Sequence, residues 1–488
     1  MAEKVRSAYS PQKWICIFIG VMVMFCFKYV PPFAGLEKNG MDILGIFIGT
    51  IFLWLTVSTT WTSLLPLIAI SMNPLYTYSS VTAGSWGNWV VPFIIFALMC
   101  SEVLADSGFL KRVAIYFISR PAVKKGPWIF ILYFFGAALI IGCIMEPMTL
   151  FIVLLSVAEE VFRQVGWRKG DKGPAMIVMG LMITTALASA MTPVAHVFVV
   201  LSMSRFATDT GSTISFFSSS VAGIITGVGC FLIMLGVFKF IYKPDLSPIS
   251  NIDVASLEKE LPPMSKREKL SLLIFGLVVL LWFAPSFLNF IWPAAATWLN
   301  RMGTLMPALL GVILFSLIKI DDKPMLEFGK AMKSVPWAAV NLAASTQIIA
   351  SAMSNPEIGL SAWLTNIAEP LVGNMSGMVY VIVVALVCGL TTNFISCSVC
   401  VTMFYGLFMP VVLVSGATLG INAAALAFVI GAASSLAFGA PSGRAHAALA
   451  AGTGWFSLRD MLIFGTGLSI IMSLMFALIG YPIGSLIM

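Results

Sequence analysis

Apolar runs of about 20 residues recur from Trp14 to the last residue, Met488. Each has the length that carries one helix across the hydrocarbon of a bilayer. Hydrophobic residues make up 59% of the chain and charged residues 10%, more apolar surface than a soluble fold can hide. The expected class is an all-α polytopic membrane protein, with the lipid bilayer as its first partner. Basic residues cluster between the apolar runs, so the net charge of +7 makes no case for nucleic acid. All eight cysteines lie in apolar segments, which argues against a disulfide framework. Cys397-x-x-Cys400 has a redox spacing without a soluble βαβ context, and reads as packing. Met1 to Phe27 carries Lys4, Arg6 and Lys13 before an apolar run, without a small-x-small cleavage site. It reads as a retained first span, residues 1–35.

Two segments are too long for one simple span. Trp128 to Ala158 is interrupted by Gly142 and Pro147, and Met378 to Leu413 is interrupted around Thr392 to Cys400. Each reads as a hairpin, 128–158 and 378–413. Each is followed by a span with a break, 175–203 interrupted at Met191-Thr192-Pro193 and 423–456 interrupted around Pro441. A polar linker, 244–269, divides a first repeat, 36–243, from a second, 270–488. Helix stops recur at Asp106-Ser107-Gly108 and at Glu357-Ile358-Gly359, and Leu110 to Arg120 reads as an amphipathic arm on the membrane surface. The total is about 11 transmembrane helices, two re-entrant hairpins and two broken helices.

Charge sets the expected topology. Of 28 Lys and Arg, 23 fall at the N-terminus, in 111–172, 239–269 or 319–333, or at Arg459, and positive charge marks the cytoplasmic side. The first hairpin is flanked by Lys124, Lys125, Arg163 and Arg168 and should open inward. Ser334 to Gly443 holds no Lys or Arg, so the second should open outward. Oppositely inserted hairpins, each followed by a broken span, are the mark of an inverted repeat. The N-terminus is then cytoplasmic and the C-terminus extracytoplasmic, in a multi-pass protein of the cytoplasmic membrane.

The stretch Gly439 to Asp460 bears most on function. Pro441, Ser442, Gly443, Arg444 and His446 fall within six residues, in a run that otherwise would cross the bilayer. Proline deletes a helix hydrogen bond, and broken backbone is tolerated at membrane depth only in protein or beside a polar cavity. An arginine there costs about 3 kcal/mol on insertion scales. A small anion at the break would solvate it; a snorkelling or carboxylate-paired arginine is the plainer alternative. The only two histidines, His196 and His446, follow Pro193 and Pro441 at matching points of the two halves. Either each bonds to backbone freed by its break, or both face one cavity where the halves meet.

Two halves of this design resemble the divalent anion/sodium symporter family, over nearly the whole chain. The local likenesses are Ser265-Lys-Arg-Glu-Lys-Leu270, Ser334-Val-Pro-Trp337, and the tail from Ala440-Pro441 through Gly452-Thr-Gly454 to Ser457-Leu-Arg-Asp460. Spacing there is most similar to the citrate/succinate antiporter branch. The resemblance implies a substrate held between hairpin tips and breaks, a homodimer and an elevator-type movement. Carried onto this chain, the substrate site comprises Thr149, Thr192, Pro193, His196, Ser396, Cys397, Ser398, Pro441, Ser442, Gly443, Arg444 and His446, with Glu146 and Asn393 for a coupling ion or proton. Family members carry Ser-Asn-Thr at each tip, with sodium beside it. Here the tips read Met145-Glu146-Pro147-Met148-Thr149 and Asn393-Phe394-Ile395-Ser396-Cys397-Ser398. The scaffold resembles the family while the ligand shell departs from it, so sodium is not carried over as a required partner, and no other cofactor is implied.

Glu146 has three readings: neutralising Arg444, exchanging a coupling proton, or helping to hold a cation. Glu102 and Asp106 read as capping or pairing with Lys111 and Arg112, Glu159 and Glu160 as reaching the cytoplasmic interface, and Ser58 to Thr62 as a helix break. An intramembrane enzyme is disfavoured by two histidines in different halves without His-Glu-x-x-His spacing, and a channel by the absence of a repeated filter. The expected function is a secondary carrier of a small anion, a di- or tricarboxylate, as exchanger or ion-coupled symporter. The alternatives are sodium-coupled symport of sulfate or another inorganic anion, a membrane-embedded enzyme, or a channel.

Overall fold

The computed structural model describes residues 9–194, 196–251, 263–372 and 375–488; Lys4, Arg6 and the middle of the 244–269 linker lie outside them. Ser10 accepts a hydrogen bond from the Lys13 amide and Pro11 opens the first turn of α1 (Pro11–Cys26), a proline position that forfeits no helical bond. The first half follows as α2 (Lys38–Thr56), the short α3 (Leu65–Ser71) and α4 (Tyr78–Gly84), then α5 (Val90–Asp106) and α6 (Phe109–Ile118). The predicted stop at Asp106-Ser107-Gly108 is a 60° bend, with Gly108 at φ +87, a left-handed conformation open to a residue without Cβ. A helical hairpin, α7 (Pro127–Gly142) and α8 (Pro147–Val165), precedes a broken pair, α9 (Lys172–Met191) and α10 (Val197–Thr210), and α11 (Phe216–Val237) closes the half.

The same order recurs. A capping box between Ser265 and Glu268 starts α12 (Lys266–Ile291), followed by α13 (Pro293–Met302), α14 (Leu305–Leu317) and α15 (Phe328–Ser334). Between α14 and α15, Lys319–Ile320 pairs antiparallel with Lys323–Pro324, a two-strand ribbon that the all-α expectation omitted. Next come α16 (Trp337–Ser354) and α17 (Leu360–Val372), the hairpin α18 (Gly377–Thr391) and α19 (Cys397–Leu419), the broken pair α20 (Ala423–Ala433) and α21 (Ala445–Gly452), and a last helix α22 (Leu458–Ile487).

Among the described residues seven helices are long and apolar enough to cross a membrane, or nine if two bent pairs count as single spans. The expected figure of about 11 requires broken segments to be counted as well. The first break falls at Thr192, as the sequence indicates. The second helix ends at Ala433, well before Pro441. The extended stretch that follows is held from the second hairpin tip: Asn393 Oδ1 accepts from the Phe438 and Gly439 amides at 3.1 and 2.6 Å. That bond offers the backbone an alternative to the helix ladder. The broken helices form the centre of the molecule. The apolar window of α9 is 100% buried by protein, against 17% for α1 and 28% for α12, which leaves α1 and α12 to face lipid. One core joins both hairpins and both broken pairs, while a smaller one joins α1, α2 and α3 to α16 and α17.

Candidate functional site

A cavity of about 530 Å³ lies where the two hairpin tips and the two breaks meet. Four helices begin at its wall: α8 after Glu146, α10 after His196, α19 after Ser396 and α21 after Arg444. Helix N-termini carry unpaired amides and about half a positive charge each, so their convergence favours an anion. Thr149, Ser396 and Ser398 bring hydroxyls to the lining, and Gly443 brings bare backbone. A Cβ on Gly443 would stand 2.6 Å from the Thr392 carbonyl oxygen, so the close approach of the break to the tip requires glycine there.

Arg444 is nine-tenths buried at this wall. Its Nη1 donates to Ser189 Oγ at 2.8 Å, and its guanidinium lies 4.6 Å from the centre of the Phe198 ring, a cation–π contact worth about 0.5–2 kcal/mol. Its Nε has no partner among the described residues, and a fork with a free N–H is suited to a carboxylate, phosphate or sulfate. Both histidines line the same cavity. His196 Nε2 stands 2.8 Å from the Gly142 carbonyl oxygen, whereas His446 Nε2 has no partner among the described residues. His196 thus bonds to a carbonyl of the first hairpin tip, not to backbone freed by its own break, and like His446 it lines the cavity.

Glu146 lines the cavity without pairing with Arg444: the ion pairs formed among the described residues are Arg112–Glu268 and Glu160–Arg163. Its Oε2 accepts instead from the Thr149 amide at 2.9 Å and from Thr149 Oγ1 at 3.3 Å. It is the N-cap of α8, a role worth about 1 kcal/mol.

The remaining candidates tie tips to breaks and stand outside the cavity lining. Thr192 Oγ1 donates to the Cys143 carbonyl at the first tip, next to the buried Pro193. At the second, Thr392 Oγ1 donates to the Ser434 carbonyl at 2.7 Å and Ser442 Oγ to the Asn393 carbonyl at 3.3 Å. Cys397 Sγ lies 3.6 Å from the Gly443 carbonyl oxygen, and Pro441 is half-buried beside them. The Asn393 amide also donates to the Gly389 carbonyl at 2.6 Å and to Ser469 Oγ at 3.0 Å. Cys400 is a free, buried thiol like Cys397, as packing requires.

One reading needs correction. Glu102 does not pair with Lys111 or Arg112. It lines the cavity and its Oε2 accepts from Ser334 Oγ at 2.6 Å, while Arg112 reaches Glu268 at 2.8 and 3.1 Å. The reading followed proximity in sequence, whereas α6 turns away from α5 at the bend and meets α12. Glu159 accepts from Trp455 Nε1 at 3.0 Å, tying α8 to the end of α21. The helix break expected at Ser58 to Thr62 is present: α2 ends at Thr56, Ser58, Thr59, Thr62 and Ser63 bond within their own segment, and none lines the cavity. Sequence reasoning missed Ser334, Ser189 and Phe198; a serine opening the Ser334-Val-Pro-Trp337 match was the available signal for the first.

The family description "Sodium:sulfate symporter transmembrane region" matches residues 11–488. Among curated proteins the chain is 21% identical to the sodium-dependent dicarboxylate transporter SdcS of Staphylococcus saprophyticus, over 98% of this chain and 93% of that protein. It is 23% identical to the putative malate transporter YflS of Bacillus subtilis, over 88% of this chain and 87% of that one. Among solved structures it resembles the YdaH transporter of Alcanivorax borkumensis, with TM-score 0.59 and 11% identity over 90% of this chain and 97% of that one, a likeness of fold. The chain thus belongs to the sodium:sulfate symporter family, also called the divalent anion/sodium symporters, and is a membrane transporter.

Proposed function

We propose that the protein is a secondary active carrier of a small carboxylate-bearing anion, in the size range of di- and tricarboxylates, across the cytoplasmic membrane. The observation that carries this reading is Arg444, nine-tenths buried with a free Nε at a cavity onto which four helix N-termini open. The relatives, a sodium-dependent dicarboxylate transporter and a putative malate transporter, support the substrate class. The two halves are inserted oppositely, with the N-terminus cytoplasmic and the C-terminus extracytoplasmic. The homodimer and the elevator-type movement implied by the family resemblance complete the working form.

The carboxylate sits on the Arg444 fork and the N-termini of α10 and α21, with Ser396 and Ser398 donating from the second hairpin tip and His446 completing the shell. Glu146 already accepts from two groups of Thr149, and Asn393 Oδ1 from two backbone amides. This engagement favours coupling by counter-substrate or proton over a sodium site built on those oxygens. The test is counterflow of labelled di- and tricarboxylates in proteoliposomes containing the wild-type protein and Arg444→Ala. Saturable exchange in the first and its loss in the second, with expression and dimerisation unchanged, is the expected result. Undiminished exchange in the variant would remove Arg444 from the site.

A further inference from the structure

Four helices that line the cavity continue together beyond it. From Phe198 to Arg205 on α10, from Ala339 to Gln347 on α16, from Ser398 to Tyr405 on α19, and back from Leu98 to Asn88 before α5, the path extends about 10–15 Å at 1.5 Å per residue. There they meet again in a second polar level. Asn88 Nδ2 donates to Gln347 Oε1 at 3.4 Å, and Ser204 Oγ approaches Asn88 Oδ1 and Gln347 Oε1 at 3.3 Å each. Thr346 and Thr402 hydroxyls stand 3.0 Å apart. Arg205 Nη1 donates to the Thr402 carbonyl at 3.3 Å, with its guanidinium 4.5 Å from the centre of the Tyr405 ring.

Arg205 is 1% exposed, and Ser345 and Gln347 are fully buried, yet Arg205 Nε, Gln347 Nε2 and Ser345 Oγ have no partner among the described residues. No carboxylate among the described residues comes within ion-pair distance of Arg205; Asp209, one turn further along α10, acts on it at longer range, and its Oδ1 is also buried without a partner. A buried group left without its hydrogen bond costs about 1–3 kcal/mol, and more when charged. These three idle donors outnumber the one idle carboxylate oxygen beside them, Asp209 Oδ1, a surplus that an anion would satisfy, and bonds of 3.3–3.4 Å lie near the limit of hydrogen bonding.

We propose that this level is a second anion-binding station, in which Arg205, Gln347 and Ser345 take the carboxylate released by Arg444 when the seam between α10, α16 and α19 opens on the side away from the cavity. The inference rests on the carrier reading above. The plainer role for Arg205 is a latch, held by Asp209, that closes this seam, and the two roles diverge under neutralisation of both partners.

The experiment measures labelled malate exchange, or the first di- or tricarboxylate that the wild-type protein exchanges, separately from each face of oriented proteoliposomes. Arg205→Gln should raise KM about tenfold on the face reached through the second level, the loss of one charge-assisted contact, with little change on the other face. Arg205→Lys should recover part of it, and Arg205→Gln with Asp209→Asn should stay as impaired as Arg205→Gln alone. Unchanged KM on both faces, or recovery in the double variant, would overturn the station. If Arg205→Gln does not fold, Arg205→Lys and Gln347→Leu decide, since wild-type KM from both faces in both variants overturns it equally. Absence of any exchange by the wild-type protein would instead remove the carrier reading.

Discussion

Ser334 Oγ donates to Glu102 Oε2 at 2.6 Å, joining the end of α5 in the first half to the α15–α16 junction in the second at the cavity wall. The bond leaves a carboxylate facing a site that takes anions, so its charge works against the substrate. Glu102→Gln keeps an acceptor for Ser334 and removes that charge. The expected outcome is a KM lower by about three- to tenfold, or roughly 0.6–1.4 kcal/mol, the scale of a screened charge pair at a wet site. Ser334→Ala should leave KM within about twofold, because exposed and half-exposed hydrogen bonds contribute little. Initial uptake rates against substrate concentration check both, and a raised KM in Glu102→Gln would make the carboxylate a substrate contact.

Asn393 should matter for stability before it matters for transport. Its side chain accepts from Phe438 and Gly439 and donates to Gly389 and Ser469, and so holds the second tip, the extended break and α22 together. Asn393→Ala strands two buried amides, at about 1–3 kcal/mol each, and a clear drop in unfolding temperature of the detergent-solubilised protein is expected. Asn393→Asp retains the acceptor and should lose less. Equal stability of Asn393→Ala and wild type would show that the break holds its shape without this link.

Arg112 and Glu268 fix the bent arm α6 to the start of α12. The pair is bidentate, with side chains 22% and 5% exposed, and Glu268 also accepts from the Ser265 amide at 2.7 Å. Glu268→Ala removes both links and should destabilise by about 1.5–3 kcal/mol, the scale of hydrogen bonds to a charged group. Arg112→Ala should cost less, because the exposed partner is lost and the capping box survives. A double-mutant cycle read by thermal unfolding measures the coupling, and a value near zero would reduce the contact to a surface pair.

The legibility of the chain followed the range of the physics involved. Breaks at Thr192-Pro193 and near Pro441, hairpins at Gly142–Pro147 and Thr392–Cys400, and the bend at Gly108 rest on local backbone chemistry. Arg444 and the paired histidines stood out because an ionisable residue in an apolar run demands a partner, and they do share one cavity. Arg205 carried the same signal without a neighbouring proline or glycine to draw attention to it. Glu102 was assigned to neighbours ten residues away, although Arg112 finds its partner 156 residues on. The extended stretch after α20 is held by Asn393, 45 residues back from Phe438. Such contacts depend on which helices become neighbours, which periodicity and capping signals do not encode.

Coupling gives the last test. Sodium seeks several oxygen ligands, and two side-chain oxygens at the tips are engaged already: Glu146 Oε2 caps α8 and Asn393 Oδ1 binds two amides. Using either for an ion would forfeit bonds that shape the tips, at about 1 kcal/mol or more each. Arg444 already brings a fixed positive charge to the site, which offsets one carboxylate of the substrate without a cation. Replacing external sodium by potassium or choline at constant ionic strength should therefore change initial uptake by less than about twofold, under 0.5 kcal/mol. Loading the vesicles with unlabelled substrate, or imposing a pH difference, should change it much more. A steep and saturable sodium requirement would place a cation site among the tip oxygens and show that Glu146 or Asn393 exchanges its present partners during transport.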